Sequence, residues 1–123
     1  IDFSPRIKII SGNFFNDDFP NADVITMGNI LHDWGTRDKK LLISKAYQAL
    51  PKSGALVILE NLIDDERKEN VFGLLMSLNM LIETYEGYDF TANKFKRWAM
   101  EAGFQNTEMI PLAGPTSAAI AYK

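Results

Sequence analysis

The sequence contains no cysteine and only one histidine in 123 residues. Without thiols, disulfides, thiolate metal sites and a cysteine nucleophile are all excluded, and the composition is compatible with a reducing compartment. One histidine among scattered acids makes a poor metal site, so metal-free chemistry is favoured. No apolar run approaches the roughly 20 residues of a membrane helix, and no basic n-region precedes an apolar segment. The expectation is a cytoplasmic protein with no membrane partner. Basic residues are also in short supply. With 13 Lys+Arg against 16 Asp+Glu and a net charge of −3, the chain lacks the basic field that phosphate backbones require, which argues against nucleic acid. No P-loop, G-x-G-x-x-G or G-x-S-x-G motif is present.

What is present is enough for one domain with one core. Ile7–Ile10, Ala22–Met27 and Ala55–Leu59 are short β-branched or apolar runs bounded by turn residues, the pattern of strands buried on both faces. Thr36 can cap a helix running through Leu41, Leu42, Ala46, Ala49 and Leu50 until Pro51 and Gly54 stop it. Strand, helix, strand in that order implies a parallel crossover. "VFGLLMSLNMLIETYEG" is apolar nearly all round and predicts a buried helix ending near Gly87. Thr91 caps a further helix in which Phe95, Trp98, Ala99 and Ala102 repeat at helical spacing before Gly103 ends it. The tail around Gly114-Pro115 predicts an antiparallel pair of strands.

Polar residues gather where such sheets bind ligands, at the carboxyl ends of the strands. Gly12-Asn13 follows the first predicted strand, Asn29 to Asp33 the second, and Glu60 the third. His32, with an ordinary pKa of about 6.5, is substantially neutral near pH 7 and suits a general base, with Glu60 or Asp89 as the acceptor that fixes its tautomer. The other reading is a structural histidine closing the loop before Thr36. Glu60 ends an apolar run, so it is either solvated or paired. Met76, Asn79, Met80 and Glu83 share one helical face, as core filler or as a pocket wall.

The ordered blocks "GNFF", "DDFPNADVITMGNILHDW", "LLISKAYQALPKSGALVILENLIDDE", "LLMSLNMLIET" and "GYDFT" resemble the C-terminal part of S-adenosylmethionine-dependent O-methyltransferases of the caffeate and acetylserotonin type, along essentially the whole chain. The resemblance implies a partial Rossmann-like class I methyltransferase sheet, mostly parallel with a C-terminal antiparallel hairpin and helices on both faces. It implies methyl transfer from S-adenosyl-L-methionine to a hydroxyl of a small aromatic or polyketide-like acceptor. His32 takes the role of the base that deprotonates this hydroxyl, flanked by Glu60 and Asp89. Gly12, Asn13, Phe14, Gly28 and Asn29 fall at cofactor positions and Asp33, Asn79 and Glu83 at the acceptor side, where Met76 and Met80 join them as members of the same helical face.

Three positions depart from the family pattern. Asn13 replaces an Asp, keeping an acceptor oxygen without the charge. Asp89 replaces a Glu and is one methylene shorter, and Gly28 stands where some relatives carry a basic residue. The family's glycine-rich loop, ribose-binding acid and helical dimerisation domain would all precede Ile1. Residues 1–123 therefore read as the C-terminal portion of the catalytic domain of a larger, homodimeric enzyme, inactive in isolation. Two central strands would be missing between the first predicted strand and the second. The alternative is a non-catalytic binding or dimerisation module on the same fold.

Overall fold

A computed structural model describes residues 6–123. In chain order it comprises β1 (Val24–Gly28), a 3-10 turn (Leu31–Asp33), α1 (Thr36–Ala49), β2 (Ala55–Glu60), α2 (Val71–Glu83), α3 (Ala92–Ala102), β3 (Asn106–Pro111) and β4 (Ser117–Tyr122). The four strands form one sheet in the order β1-β2-β4-β3. β1 and β2 are parallel, from Val24 opposite Ala55 to Gly28 opposite Leu59. β4 lies antiparallel to both β2 and β3. The α/β class, the parallel crossover and the C-terminal hairpin are as expected.

A parallel majority is not found among the described residues, where one pairing is parallel and two are antiparallel. Ile7–Ile10, expected to be a strand, joins no ladder. Its isoleucines stand 57%, 69% and 59% exposed at positions 7, 9 and 10. Strand propensity is realised only against a neighbouring strand and a packed face, and this segment has neither. Residues 1–5 lie outside the described part.

α1 and α3 pack together over one face of the sheet. Leu42, Ile43 and Ala46 of α1 and Phe95, Trp98 and Ala99 of α3 close over Leu56, Ile58, Ala119 and Ala121. Each large side chain buried here stabilises the fold by roughly 1.5–3 kcal/mol. The expected helical cover on both faces is met on this face only. On the other, Val57, Leu59 and Ile120 remain half-buried, while α2 packs against the 3-10 turn at the carboxyl end of the strands.

The caps follow the sequence closely in α3. Thr91 accepts the Lys94 amide at 3.1 Å, and Gly103 closes the helix at a φ of 114° that favours glycine. In α1 the cap position belongs to Gly35, not Thr36. The Thr36 hydroxyl instead meets the Tyr88 hydroxyl at 2.5 Å. α2 departs most from expectation. It ends at Glu83, because Thr84 donates its hydroxyl to the Met80 carbonyl and accepts the Gly87 amide, which turns the chain. It is not buried either. Gly73 and Met80 face inward, whereas Leu75, Leu78, Leu81 and Ile82 are exposed. An apolar helix is buried only where a partner surface exists on each side, and α2 has one on a single side.

Candidate active site

Parallel pairing brings the ends of β1 and β2 together at one edge of the sheet. Beyond Gly28 the chain turns through Asn29, which adopts a left-handed φ of 50° that asparagine tolerates better than most residues. Its amide is held by the Leu59 carbonyl at 3.0 Å. The chain then enters the 3-10 turn that carries His32. Glu60, the last residue of β2, is only 1% exposed. Its Oε1 accepts the backbone amides of Ile30, Leu31 and His32 at 3.1, 2.9 and 3.4 Å. One carboxylate thus satisfies the open amides at the start of the turn, which answers whether Glu60 is solvated or paired.

The other oxygen of Glu60, Oε2, lies 3.0 Å from His32 Nδ1. Asp89 reaches the same nitrogen from the segment between α2 and α3, with Oδ1 at 3.6 Å. That segment is fixed by the Ile63 amide donating to the Phe90 carbonyl and by the Asp89 amide donating to Ser77 Oγ of α2 at 3.1 Å. The shorter side chain of Asp89 still brings its carboxylate close, at a longer distance than Glu60. On the opposite edge of the ring, Nε2 lies 3.2 Å from Oδ1 of the half-exposed Asp33. His32 Nδ1, Glu60 Oε2 and both Asp89 oxygens are buried, and their contacts with one another are close without being well-aligned hydrogen bonds.

The electrostatics change the reading of His32. Asp89 and Glu60 beside the ring favour the imidazolium more than burial opposes it, so its pKa is raised to about 10. The expectation of a half-neutral imidazole at pH 7 is therefore corrected: in this fold His32 is a cation there. His32, Glu60 and Asp89 also bring one donor atom each within 4.8 Å of one another, the density of a metal site.

Lys39 is a member of this cluster that sequence reasoning did not single out. It lies on α1, is 0% exposed and donates to the Trp34 carbonyl. Its Nζ sits 3.7 Å from the centroid of the Tyr88 ring. Burial lowers its pKa to about 8, against the pull of Glu60, Asp89 and Asp33. A lysine in "TRDKK" carries no signal of burial, because lysines are almost always solvated.

The other expected positions are only partly brought together. Phe14 and Gly28 line one cleft of about 510 Å³ with Ile25, Met27, Ile30 and Leu42. Gly12, Asn13 and Asn29 are not among its walls. Asn13 Oδ1 accepts the Phe15 amide at 2.9 Å, and its own amide donates to Asp17. Phe14 packs beside Phe15, which meets Trp34 edge to face at 4.6 Å. Asp33 and Glu83 line a second cleft, with Trp34 and Tyr85. Of the helical stripe, Met80 is buried, Met76 and Asn79 are half-buried and Glu83 is exposed. Gly87 sits close under the site: a Cβ there would lie 2.6 Å from the His32 carbonyl oxygen.

A family profile for the O-methyltransferase domain matches residues 1–105. The tetracenomycin polyketide synthesis 8-O-methyl transferase of Streptomyces glaucescens is 37% identical over 123 residues, the whole of this chain and 36% of that protein. Acetylserotonin O-methyltransferase of Gallus gallus is 35% identical over 104 residues, 85% of this chain and 30% of that protein. The crystal structure of human N-acetylserotonin methyltransferase in complex with SAM superposes with a TM-score of 0.93 at 30% identity, covering 99% of this chain and 35% of that one. The chain spans about a third of the length of the curated relatives it matches. By these likenesses the chain belongs to the O-methyltransferase family.

Proposed function

We propose that this chain is the C-terminal portion of a catalytic domain that methylates a hydroxyl on a small aromatic or polyketide-like molecule, with His32 as general base. The observation that carries this reading is the His32 imidazole, held at Nδ1 by two buried carboxylates while Nε2 faces the partly exposed Asp33. A base needs one nitrogen anchored, which Glu60 and Asp89 supply at Nδ1, and in this reading Nε2, which Asp33 contacts at 3.2 Å, is the nitrogen that turns to the substrate.

S-adenosyl-L-methionine, the cofactor of this reading, would supply an electrophilic methyl group on a sulfonium. The residues present fit its adenine end: the cleft at Phe14 and Gly28 is walled by apolar side chains and opens beside an aromatic ring. Gly12, Asn13 and Asn29 border that cleft in sequence, and Asn13 Oδ1 keeps a second lone pair for an amino group. Asp33 and Glu83, which share the second cleft, are assigned to the acceptor side together with Met76, Asn79 and Met80 of α2.

His32 removes the acceptor proton and Asp33 gives way to the incoming hydroxyl. A phenol has a pKa of about 10, close to that of His32 in this fold, so transfer between the two is nearly balanced. The proton that His32 holds at neutral pH must leave first, so kcat rises with pH toward 10. The test is His32→Gln in the intact enzyme, with kcat and S-adenosyl-L-methionine affinity measured side by side. The expected result is a kcat lower by about 10² to 10⁴ with cofactor affinity nearly unchanged. An unaltered kcat rules out the base role.

A further inference from the structure

Resting on the reading of His32 as base, we propose that Lys39 is a positioning residue of the site. Its buried ammonium pins the carbonyl end of the turn that carries His32, and it supplies the second positive charge beside Glu60 and Asp89.

Geometry makes the case first. Lys39 donates to the carbonyl of Trp34, and the Trp34 amide in turn donates to the Leu31 carbonyl at 3.2 Å, closing the turn around His32 and Asp33. The Lys39 amide is held by the Gly35 carbonyl at 3.0 Å. The side chain therefore ties the first turn of α1 back to the loop before it. Its position is closed from outside by Tyr88, whose ring it faces at 3.7 Å, with Phe90 at 5.6 Å. Tyr88 is itself tethered to α1 through Thr36. A side chain so enclosed cannot swing to solvent, and burying an ammonium is costly unless its surroundings balance it.

The charged groups around Lys39 come from every element nearby: Glu60 at the end of β2, Asp89 and Tyr88 before α3, Asp33 in the turn and Lys94 on α3. Those around His32 are Glu60, Asp89 and Asp33. Lys39 thus lies in the field of the two carboxylates that contact His32. A charge on Lys39 weakens the hold of Glu60 and Asp89 on the His32 proton, and loss of that charge strengthens it. Lys39 in this way sets how readily His32 becomes a free base.

In the intact protein the His32 ring resonances are identified by their loss in His32→Gln and can then be followed by NMR. In the wild-type protein the His32 resonances should show a secondary inflection near pH 8, where Lys39 loses its proton, ahead of the main titration near 10. In Lys39→Met the secondary inflection should vanish and the main midpoint move up, while Lys39→Arg keeps the charge and should show no inflection near pH 8. A wild-type titration with no inflection near pH 8 overturns the proposal whether or not the variants fold. So does an unshifted midpoint in a folded Lys39→Met. None of these readouts involves methyl transfer, so failure of the base assignment, shown by an active His32→Gln, is separable from failure of this one. When both hold, the acid limb of kcat in Lys39→Met moves up by the same amount as the His32 midpoint.

Discussion

Raising the pH from 6.5 to 8 should weaken this fold, and the size of the effect follows from two buried groups. In the unfolded chain His32 releases its proton near 6.5, whereas in the fold it keeps it up to about 10. Between those values the folded state binds one more proton than the unfolded state, so stability falls by about 1.4 kcal/mol per pH unit. Lys39 acts in the opposite sense, releasing its proton at 10.5 when unfolded and at about 8 when folded. From 8 upward the folded state binds one proton fewer on Lys39, which restores stability at about the same slope. The sum is a loss of roughly 1 kcal/mol between 6.5 and 8, followed by a plateau to about 10. Urea unfolding followed by the fluorescence of Trp34 and Trp98 reads this directly. With a urea slope of about 1–3 kcal/mol/M, the midpoint should drop by on the order of 1 M across that interval. His32→Gln removes the falling limb and leaves only the rise contributed by Lys39. A wild-type midpoint that is constant or increasing from 6.5 to 8 would refute the charge arrangement described here.

Glu60 performs two tasks with its two oxygens, and two substitutions separate them. Glu60→Ala, which leaves three backbone amides and a buried imidazolium without a partner, should cost about 3–5 kcal/mol in urea unfolding. Glu60→Gln keeps an oxygen for the amides and removes the charge, so it should cost less while lowering the His32 midpoint in an NMR titration. Gly87→Ala would drive a methyl group against the His32 carbonyl, so the turn must shift. It should depress kcat in the intact enzyme more than it lowers the urea midpoint, since a small displacement of a catalytic group is costly to rate. Thr91→Ala removes the α3 cap and should cost about 1 kcal/mol of stability. Because the same segment carries Asp89, a cost near zero would show that the cap contributes nothing to holding it.

Local rules made parts of this molecule legible from its residues. α3 was readable because its signals are self-contained, with a threonine cap, a buried stripe at helical spacing and a glycine at the end. The parallel crossover of β1 and β2 followed from strand, helix and strand in succession, and the hairpin from Gly114-Pro115 between two short runs. Ile7–Ile10 and α2 were misread for a common reason. Both have the composition of buried elements, and burial is a property of the neighbour as much as of the segment itself.

The same division runs through the candidate site. The sequence by itself determined which chemical groups stand at the strand ends, because β1 and β2 must terminate at the same edge, and so Asn29, His32 and Glu60 were bound to meet. Only the tertiary structure decided their protonation. The pKa of His32 depends on Asp89, which lies 57 positions away and is delivered by a segment anchored to Ile63 and Ser77. The burial of Lys39 depends on Tyr88 closing over it. Proton affinity is set by charges and solvent exclusion at distances of a few ångströms, and those distances exist only once the chain has folded.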